Sequence, residues 1–183
     1  RVASVLPSGK TSPVRDITFE KQTLAPALQV ANPTPGLRTK TSVGSYYQTS
    51  DLLGVMNWTE GVAKRTQDLR PDVVKNHMDE IKPKAVIGEG YVKIPTDGVY
   101  VFSTDLDQLY IDGKLLVDNS GEVAKFSRRD KSVALQAGWH KIRLIFIGAV
   151  RGGFPTYWDG AGVSFRNIKD SKFSNITEEM LAH

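Results

Sequence analysis

The 183-residue sequence contains no cysteine and only three histidines. Without cysteine it can form no disulfide scaffold, no thiol nucleophile and no cysteine-ligated zinc site. His77, His140 and His183 lie far apart in the sequence and form no HExxH-type zinc motif. The longest strongly apolar run, residues 144–150, is much shorter than the roughly 20 residues that cross a bilayer, so we expect no membrane span.

The excess of positive charge is small. Lys and Arg total 24 against 20 Asp and Glu, which gives a net charge of +4 at pH 7. The two signs alternate along the chain, whereas a nucleic-acid-binding domain usually has a basic stripe or face. Hydrophobic residues make up 40% and charged residues 24%, values typical of a folded domain. We therefore expect a globular protein with no nucleic-acid partner.

Short β-prone segments, separated by turn residues, fill most of the chain between residues 36 and 168. Asp112-Gly113 between two apolar runs is the strongest of the short hairpin signals. Helical patterns are confined to residues 70–81 and to a short turn after Thr177. The pattern therefore predicts an all-β fold, an antiparallel β-sandwich.

The segment 139–147 shows the clearest strand pattern. Ile142, Leu144 and Phe146 alternate with basic residues, as in a strand that buries one face. His140 falls on the same apolar face, so we expect a hydrogen-bonded, structural histidine.

Turn residues and prolines divide the chain into four parts. Residues 1–22 are predicted to be a β-hairpin remnant of an upstream β-sandwich domain, since two short strands cannot fold alone. Residues 23–35 contain three prolines and are predicted to be a linker. The sandwich domain is placed at 36–168, and the polar residues 169–183 are placed in a C-terminal tail.

Six segments resemble the fourteen-kilodalton protective-antigen domain in order and spacing. They are residues 90–95 (GYVKIP), 97–102 (DGVYVF), 109–114 (LYIDGK), 117–119 (VDN), 137–140 (AGWH) and 158–162 (WDGAG). The resemblance implies the lectin-like β-sandwich that this family contributes to bacterial toxins, adhesins and secreted glycosidases.

Residues 6–15 resemble the final hairpin of the β-sandwich domain in bacterial β-N-acetylhexosaminidases of glycoside hydrolase family twenty. Together the two resemblances imply a periplasmic, cell-surface or secreted bacterial glycosidase. The implied partners are its upstream catalytic domain and glycans that contain N-acetylhexosamine. Asp79-Glu80 imitates the acidic pair of that family, but the pair needs a barrel of about 250 residues, more than this whole chain. We therefore assign no catalytic residue here.

Polar residues cluster around two hairpin connections, and oxygen-rich loops of this kind can bind calcium. The cluster includes Asp105, Asp107 and Asn119. Lectins of the resembled family hold calcium with two consecutive aspartates, which align with Thr104 and Asp105. Because Thr104 replaces the first aspartate, we expect no cofactor, with calcium at Asp105 and Asp107 as the alternative. A role of the loop acids in turn structure also stays open.

Aromatic side chains beside polar groups are typical of sugar-binding sites, since sugar rings present apolar faces and polar edges. Trp158 next to Asp159 has this pairing, although a packing role for Trp158 is an alternative. The predicted ligand-binding residues are therefore Asp105, Asp107, Asn119, Trp158 and Asp159. Arg128 and Arg129 are expected on a solvated face.

Two functions remain. The chain is either a non-catalytic carbohydrate-binding module of a glycosidase, or a structural module that packs on the catalytic domain without binding sugar. A free-standing enzyme is excluded, because no nucleophile, acid–base pair or metal motif is found.

Overall fold

The computed structural model describes residues 1, 3–16, 18, 21–69, 84–120, 128–148, 150–151, 154–155 and 162–183. The predicted helix at 70–81, the acidic pair Asp79-Glu80, and the ligand candidates Trp158 and Asp159 lie outside these residues. No helix in the described part of the chain is long and apolar enough to cross a membrane.

The described part is all-β, as the sequence predicts, and it contains thirteen strands. They are β1 (Leu37–Val43), β2 (Thr59–Ala63), β3 (Lys84–Ile94), β4 (Gly98–Thr104), β5 (Gln108–Ile111), β6 (Lys114–Asp118), β7 (Arg129–Leu135), β8 (Gly138–Gly148), β9 (Val150–Arg151), β10 (Phe154–Pro155), β11 (Val163–Asn167), β12 (Ser174–Asn175) and β13 (Leu181–Ala182). Short 3₁₀ turns occur at Thr49–Leu52, Thr66–Leu69 and Glu178–Met180.

The strands form a large and a small antiparallel sheet. The large sheet has the order β2-β1-β3-β8-β5-β6, and β13 pairs with β3 beside β1. The small sheet has the order β12-β11-β4-β7, while β9 and β10 pair separately. At the centre of the large sheet, β3 and β8 pair over eleven residues each, from Lys84 opposite Gly148 to Ile94 opposite Gly138.

The core lies between the two sheets. On the small sheet Tyr100 and Phe102 flank Phe165, with ring centroids 5.9 and 6.0 Å from it. On the large sheet Leu144 and Phe146 are fully buried. The predicted apolar face of residues 139–147 is therefore confirmed, because alternate side chains of a strand point to opposite faces.

His140 is also fully buried on this face, as expected. Its Nδ1 lies 2.7 Å from an Asp112 carboxylate oxygen, and its Nε2 donates to the Gln136 carbonyl oxygen at 2.9 Å. The second Asp112 carboxylate oxygen accepts the Lys141 backbone N–H. The Asp112-Gly113 turn joins β5 to β6 as predicted, with positive φ at both residues.

Two short turns connect the sheets, unlike the Asp112-Gly113 turn, which joins neighbouring strands of one sheet. The turn at residues 95–97 carries the chain from β3 in the large sheet to β4 in the small sheet. Residues 136–137 carry it back from β7 to β8. Strands β3 and β4, and likewise β7 and β8, are therefore consecutive in the sequence but lie in opposite sheets of the sandwich.

Both ends of the predicted sandwich extend further than the sequence suggests. The predicted linker runs along the sandwich, with bridges from Ala25 to Leu135 and from Leu28 to Trp139. The residues placed in a tail also belong to the sandwich, because β12 pairs with β11 and β13 with β3. Ile176 and Leu181 are buried there, and these isolated apolar residues in a polar segment explain why the sequence pattern missed them.

Gly90 allows the C-terminal strand to dock. A Cβ atom at Gly90 would clash with the Ala182 carbonyl oxygen and lie 2.9 Å from Leu37 Cδ2. Gly90→Ala should therefore lower the free energy of unfolding by about 1–3 kcal/mol, the usual range for overpacking. Urea denaturation of the full chain measures it.

Gly61→Ala on β2 is the matched control, since its Cβ would meet only the Thr39 hydroxyl, at 3.1 Å. We expect that variant to stay within about 1 kcal/mol of the wild type. Equal losses for the two variants would show that docking of β13 does not depend on Gly90.

Candidate functional site

A polar cluster occupies one end of the sandwich, where several strands and connections meet. Its residues come from the end of β4, the β4–β5 connection, the end of β6 and the residue that precedes β7. Asp105, Asp107 and Asn119, predicted from the sequence as site residues, are brought together here. All three are at least nine-tenths buried.

Thr104 is a structural residue of this end. Its side chain is fully buried, and its hydroxyl donates to the Gly162 carbonyl oxygen at 3.2 Å. The same hydroxyl accepts the Leu106 backbone N–H at 3.1 Å. Thr104 therefore ties the β4–β5 connection to the start of β11.

Asp107 and Asn119 brace the same connection. One Asp107 carboxylate oxygen accepts the Ile147 backbone N–H at 2.6 Å, and the Asp107 carbonyl accepts the Asn119 backbone N–H at 2.7 Å. The Asn119 side-chain amide donates to the carbonyl oxygens of Thr104 and Leu106 at 3.1 and 2.8 Å. These bonds hold the backbone around Asp105 in one shape.

The position of Arg128 differs from the sequence prediction, which placed this residue on a solvated face. Its side chain is only 27% exposed. The guanidinium donates to the Ser103 hydroxyl at 3.1 Å and to the Ser164 hydroxyl at 2.9 Å. Ser103 and Ser164 lie opposite each other on β4 and β11 and leave room for it. The sequence gives no periodic signal for this contact, since 25 and 36 residues separate the partners.

The Arg128 guanidinium also lies beside Asp105, with Nη1 3.9 Å from Oδ1. Arg128 Nη1 is buried and has no hydrogen-bond partner among the described residues. The same holds for Asn119 Oδ1. A buried donor and a buried acceptor without partners each cost about 1–3 kcal/mol, and a polar ligand group or a water can relieve that cost.

Asp118 stands at the rim of the cluster. Partial burial acts to raise the pKa of Asp118, yet hydrogen bonds from Ser120 and Gln108 and the charge of Arg129 lower it below its usual value. Asp118 is therefore ionised at neutral pH and balances the charge of Arg129.

The residues present fit calcium poorly. The guanidinium of Arg128 already supplies a positive charge 3.9 Å from Asp105. Asp107 is fully buried and bonded to the backbone, and the Thr104 hydroxyl is used twice within the fold. Within the described ranges, no three acidic or histidine side chains group closely enough to hold a metal ion.

Two further aromatic residues, Tyr46 and Trp58, lie away from the polar cluster. Tyr46 and Trp58, in the least regular region of the sequence, pack with Leu52 on the outer side of the large sheet. The Trp58 indole N–H donates to the Val55 carbonyl oxygen at 2.9 Å. These two rings are therefore packing residues of the sheet.

Comparison with known proteins places the chain among related domains. The model of the PA14 domain family matches residues 39–172. A Beta-hexosaminidase of Porphyromonas gingivalis (strain ATCC BAA-308 / W83) is 41% identical over 182 residues. The match spans 99% of this chain and 23% of the relative's length.

Two solved structures share the fold. The crystal structure of the PA14 domain of the MpAFP antifreeze protein matches with a TM-score of 0.53 and 17% identity, covering 92% of this chain and 96% of that one. The Epithelial Adhesin 9 A domain (Epa9A) from Candida glabrata, solved in complex with Galb1-3GlcNAc, matches with a TM-score of 0.50 and 10% identity, covering 82% and 89%. With the sheet order, the buried core and a family match over most of its length, the chain belongs to the PA14 domain family.

Proposed function

We propose that this domain is a non-catalytic carbohydrate-binding module of a bacterial glycosidase. The polar cluster at the β4–β5 end is its proposed site. The observation that carries the proposal is a pair of buried atoms there, Arg128 Nη1 and Asn119 Oδ1, that have no hydrogen-bond partner among the described residues. A sugar hydroxyl both donates and accepts hydrogen bonds, so it satisfies a donor and an acceptor at once.

The proposed roles follow from the contacts. Arg128 donates to a sugar oxygen, and Asn119 accepts from a hydroxyl. Asp105 orients the guanidinium through its charge, and Asp107 shapes the connection from within. Trp158 and Asp159, which lie outside the described residues, are proposed to supply a stacking face and a polar neighbour from the sequence pattern alone.

The proposed ligand contains N-acetylhexosamine, and the proposed parent is a β-N-acetylhexosaminidase of the periplasm, cell surface or exterior. Sequence identity of 41% to part of a Beta-hexosaminidase supports this context. A module tethered to a catalytic domain raises the local concentration of substrate, so even a weak site is useful. The adhesin domain, solved with a disaccharide, supports the proposal only in that a domain of this fold can bind sugar.

We further propose that binding needs no calcium. In this account Arg128 provides the positive charge beside Asp105 that a metal would otherwise supply. The loop is held by protein hydrogen bonds to Thr104, Asp107 and Asn119.

A structural module that packs on the rest of a longer polypeptide is the second candidate. The observation that favours it is the exposure of Val5, Leu6 and Val14, at 68, 58 and 63%. Apolar side chains grouped on one short segment are typical of a covered surface. If the domain binds no sugar, the structural role remains as the proposed function.

Arg128→Gln should weaken binding of N-acetylglucosamine oligomers by about tenfold or more, because a hydrogen bond to a charged group contributes about 1.5–3 kcal/mol. Titration calorimetry of the folded full chain measures the dissociation constant. Lys131→Gln is the matched control, since Lys131 is an exposed cation on β7. We expect its affinity to match that of the wild type.

Unchanged affinity in Arg128→Gln, or an equal loss in Lys131→Gln, would contradict the assigned site. Wild-type protein that binds no glycan across a broad panel would contradict the function itself.

Calcium at about 1 mM, a level that fills weak extracellular sites, should leave both sugar affinity and melting temperature unchanged relative to chelator. Differential scanning fluorimetry and calorimetry measure the two quantities. A rise of several degrees in melting temperature with calcium, abolished in Asp105→Asn, would show that a metal shares the cluster with Arg128.

A further inference from the structure

The outer side of the large sheet carries a second group of polar and aromatic side chains, away from the polar cluster. The strand register places them in rows. Arg38, Glu89, Arg143 and Tyr110 form one row across four strands, since each is opposite the next. Tyr91 opposite Lys141 and Lys93 opposite Trp139 form the next two rows. We call these residues the outer basic face.

Two of the cations of this face, Lys93 and Arg143, contact neighbouring side chains. Lys93 Nζ lies 5.6 Å from the ring centre of Trp139, and the Arg143 guanidinium lies 5.8 Å from that of Tyr110. Arg143 Nε also contacts a Glu89 carboxylate oxygen at 3.2 Å. Cation–π contacts of this kind favour positions of the cation over the ring.

The charge on the face is unbalanced. Four cations, Arg38, Lys93, Lys141 and Arg143, stand beside one carboxylate, Glu89. The surplus of three positive charges is most of the net +4 of the whole chain. Arg38 and Lys141 form no ion pair within the described residues, so both can take an anionic partner.

The face also has a shape that can receive a ligand. A groove of about 560 Å³ is lined by Arg38, Tyr91, Tyr110, Lys141 and Arg143, among others. Further along the same sheet, Tyr46, Leu52 and Trp58 cover the apolar residues around Ile145. Among the described residues the basic part is left open, because the segment between β1 and β2 packs on the apolar part.

We propose that the outer basic face binds an acidic polysaccharide through its carboxylate or sulfate groups. The Cα atoms of Lys141 and Arg143 on β8 are about 6.6 Å apart, and strands two positions apart in the sheet are separated by about 10 Å. This regular backbone spacing places cations in rows that suit charges repeating along a sugar chain. Single-stranded nucleic acid suits the face less well, because side-chain cations already lie over Tyr110 and Trp139, where bases would stack.

The test uses the full chain and four probes: an alginate oligosaccharide with carboxylates, a heparin oligosaccharide with sulfates, neutral dextran and oligo(dT). We expect binding of at least one acidic sugar, weakening as salt rises from about 50 to about 200 mM, and no binding of dextran. Heparin also carries carboxylates, so binding of alginate would show carboxylate recognition, whereas binding of heparin alone would show that sulfate is needed. Binding of neither, or tighter binding of oligo(dT) than of both, would overturn the proposal.

The double variant Arg38→Gln/Lys141→Gln should weaken binding of the acidic sugar by about tenfold or more. Lys169→Gln/Lys172→Gln, which removes two exposed cations elsewhere, is the matched control and should change affinity by less than about twofold. Equal losses would mean attraction by net charge alone and would contradict a specific face. Arg128→Gln should leave acidic-sugar binding intact. Failure of this proposal is therefore distinguishable from failure of the sugar site proposed at the polar cluster.

Discussion

The pairing of β3 with β8 is the constraint on which the other features depend. These two central strands of eleven residues fix which side chains enter the core and which face outward. A slip of one residue would move Lys141 and Arg143 toward the core and Ile142 and Leu144 toward solvent. The register thus creates the core and the outer basic face together.

The same pairing also positions the polar cluster, because the end of β8 is hydrogen-bonded to it. The Ile147 backbone N–H is bound by Asp107, which in turn holds Asn119. The shape of the proposed sugar site therefore depends on the position of the central strands. Arg128 joins the cluster from the small sheet, through Ser103 and Ser164. The site needs both sheets in place.

Much of this architecture could be predicted from local patterns. The alternation in β8, the Asp112-Gly113 turn and the all-β class depend on residues close in sequence, and the structure confirms them. The sequence also indicated that Asp105, Asp107 and Asn119 lie close together, because they cluster around two hairpin connections.

Features that depend on distant partners could not be predicted in this way. Nothing local distinguishes a turn that pairs two strands from one that carries the chain to the other sheet, as at residues 95–97. Arg128 is bound by two serines 25 and 36 residues away, and Gly90 leaves the space that the Ala182 carbonyl oxygen of β13 occupies. These are properties of the assembled sandwich, since they arise only when both sheets are in place.

Backbone amide NMR shifts of the full chain, followed during titration with an N-acetylglucosamine trisaccharide, test the central claim most directly. The account predicts that the shifts concentrate at Thr104 to Asp107, Asn119 and Arg128, while Tyr91 and Lys141 stay unchanged. Shifts confined to the outer basic face, or none at saturating sugar, would contradict a neutral-glycan site at the β4–β5 end of the sandwich.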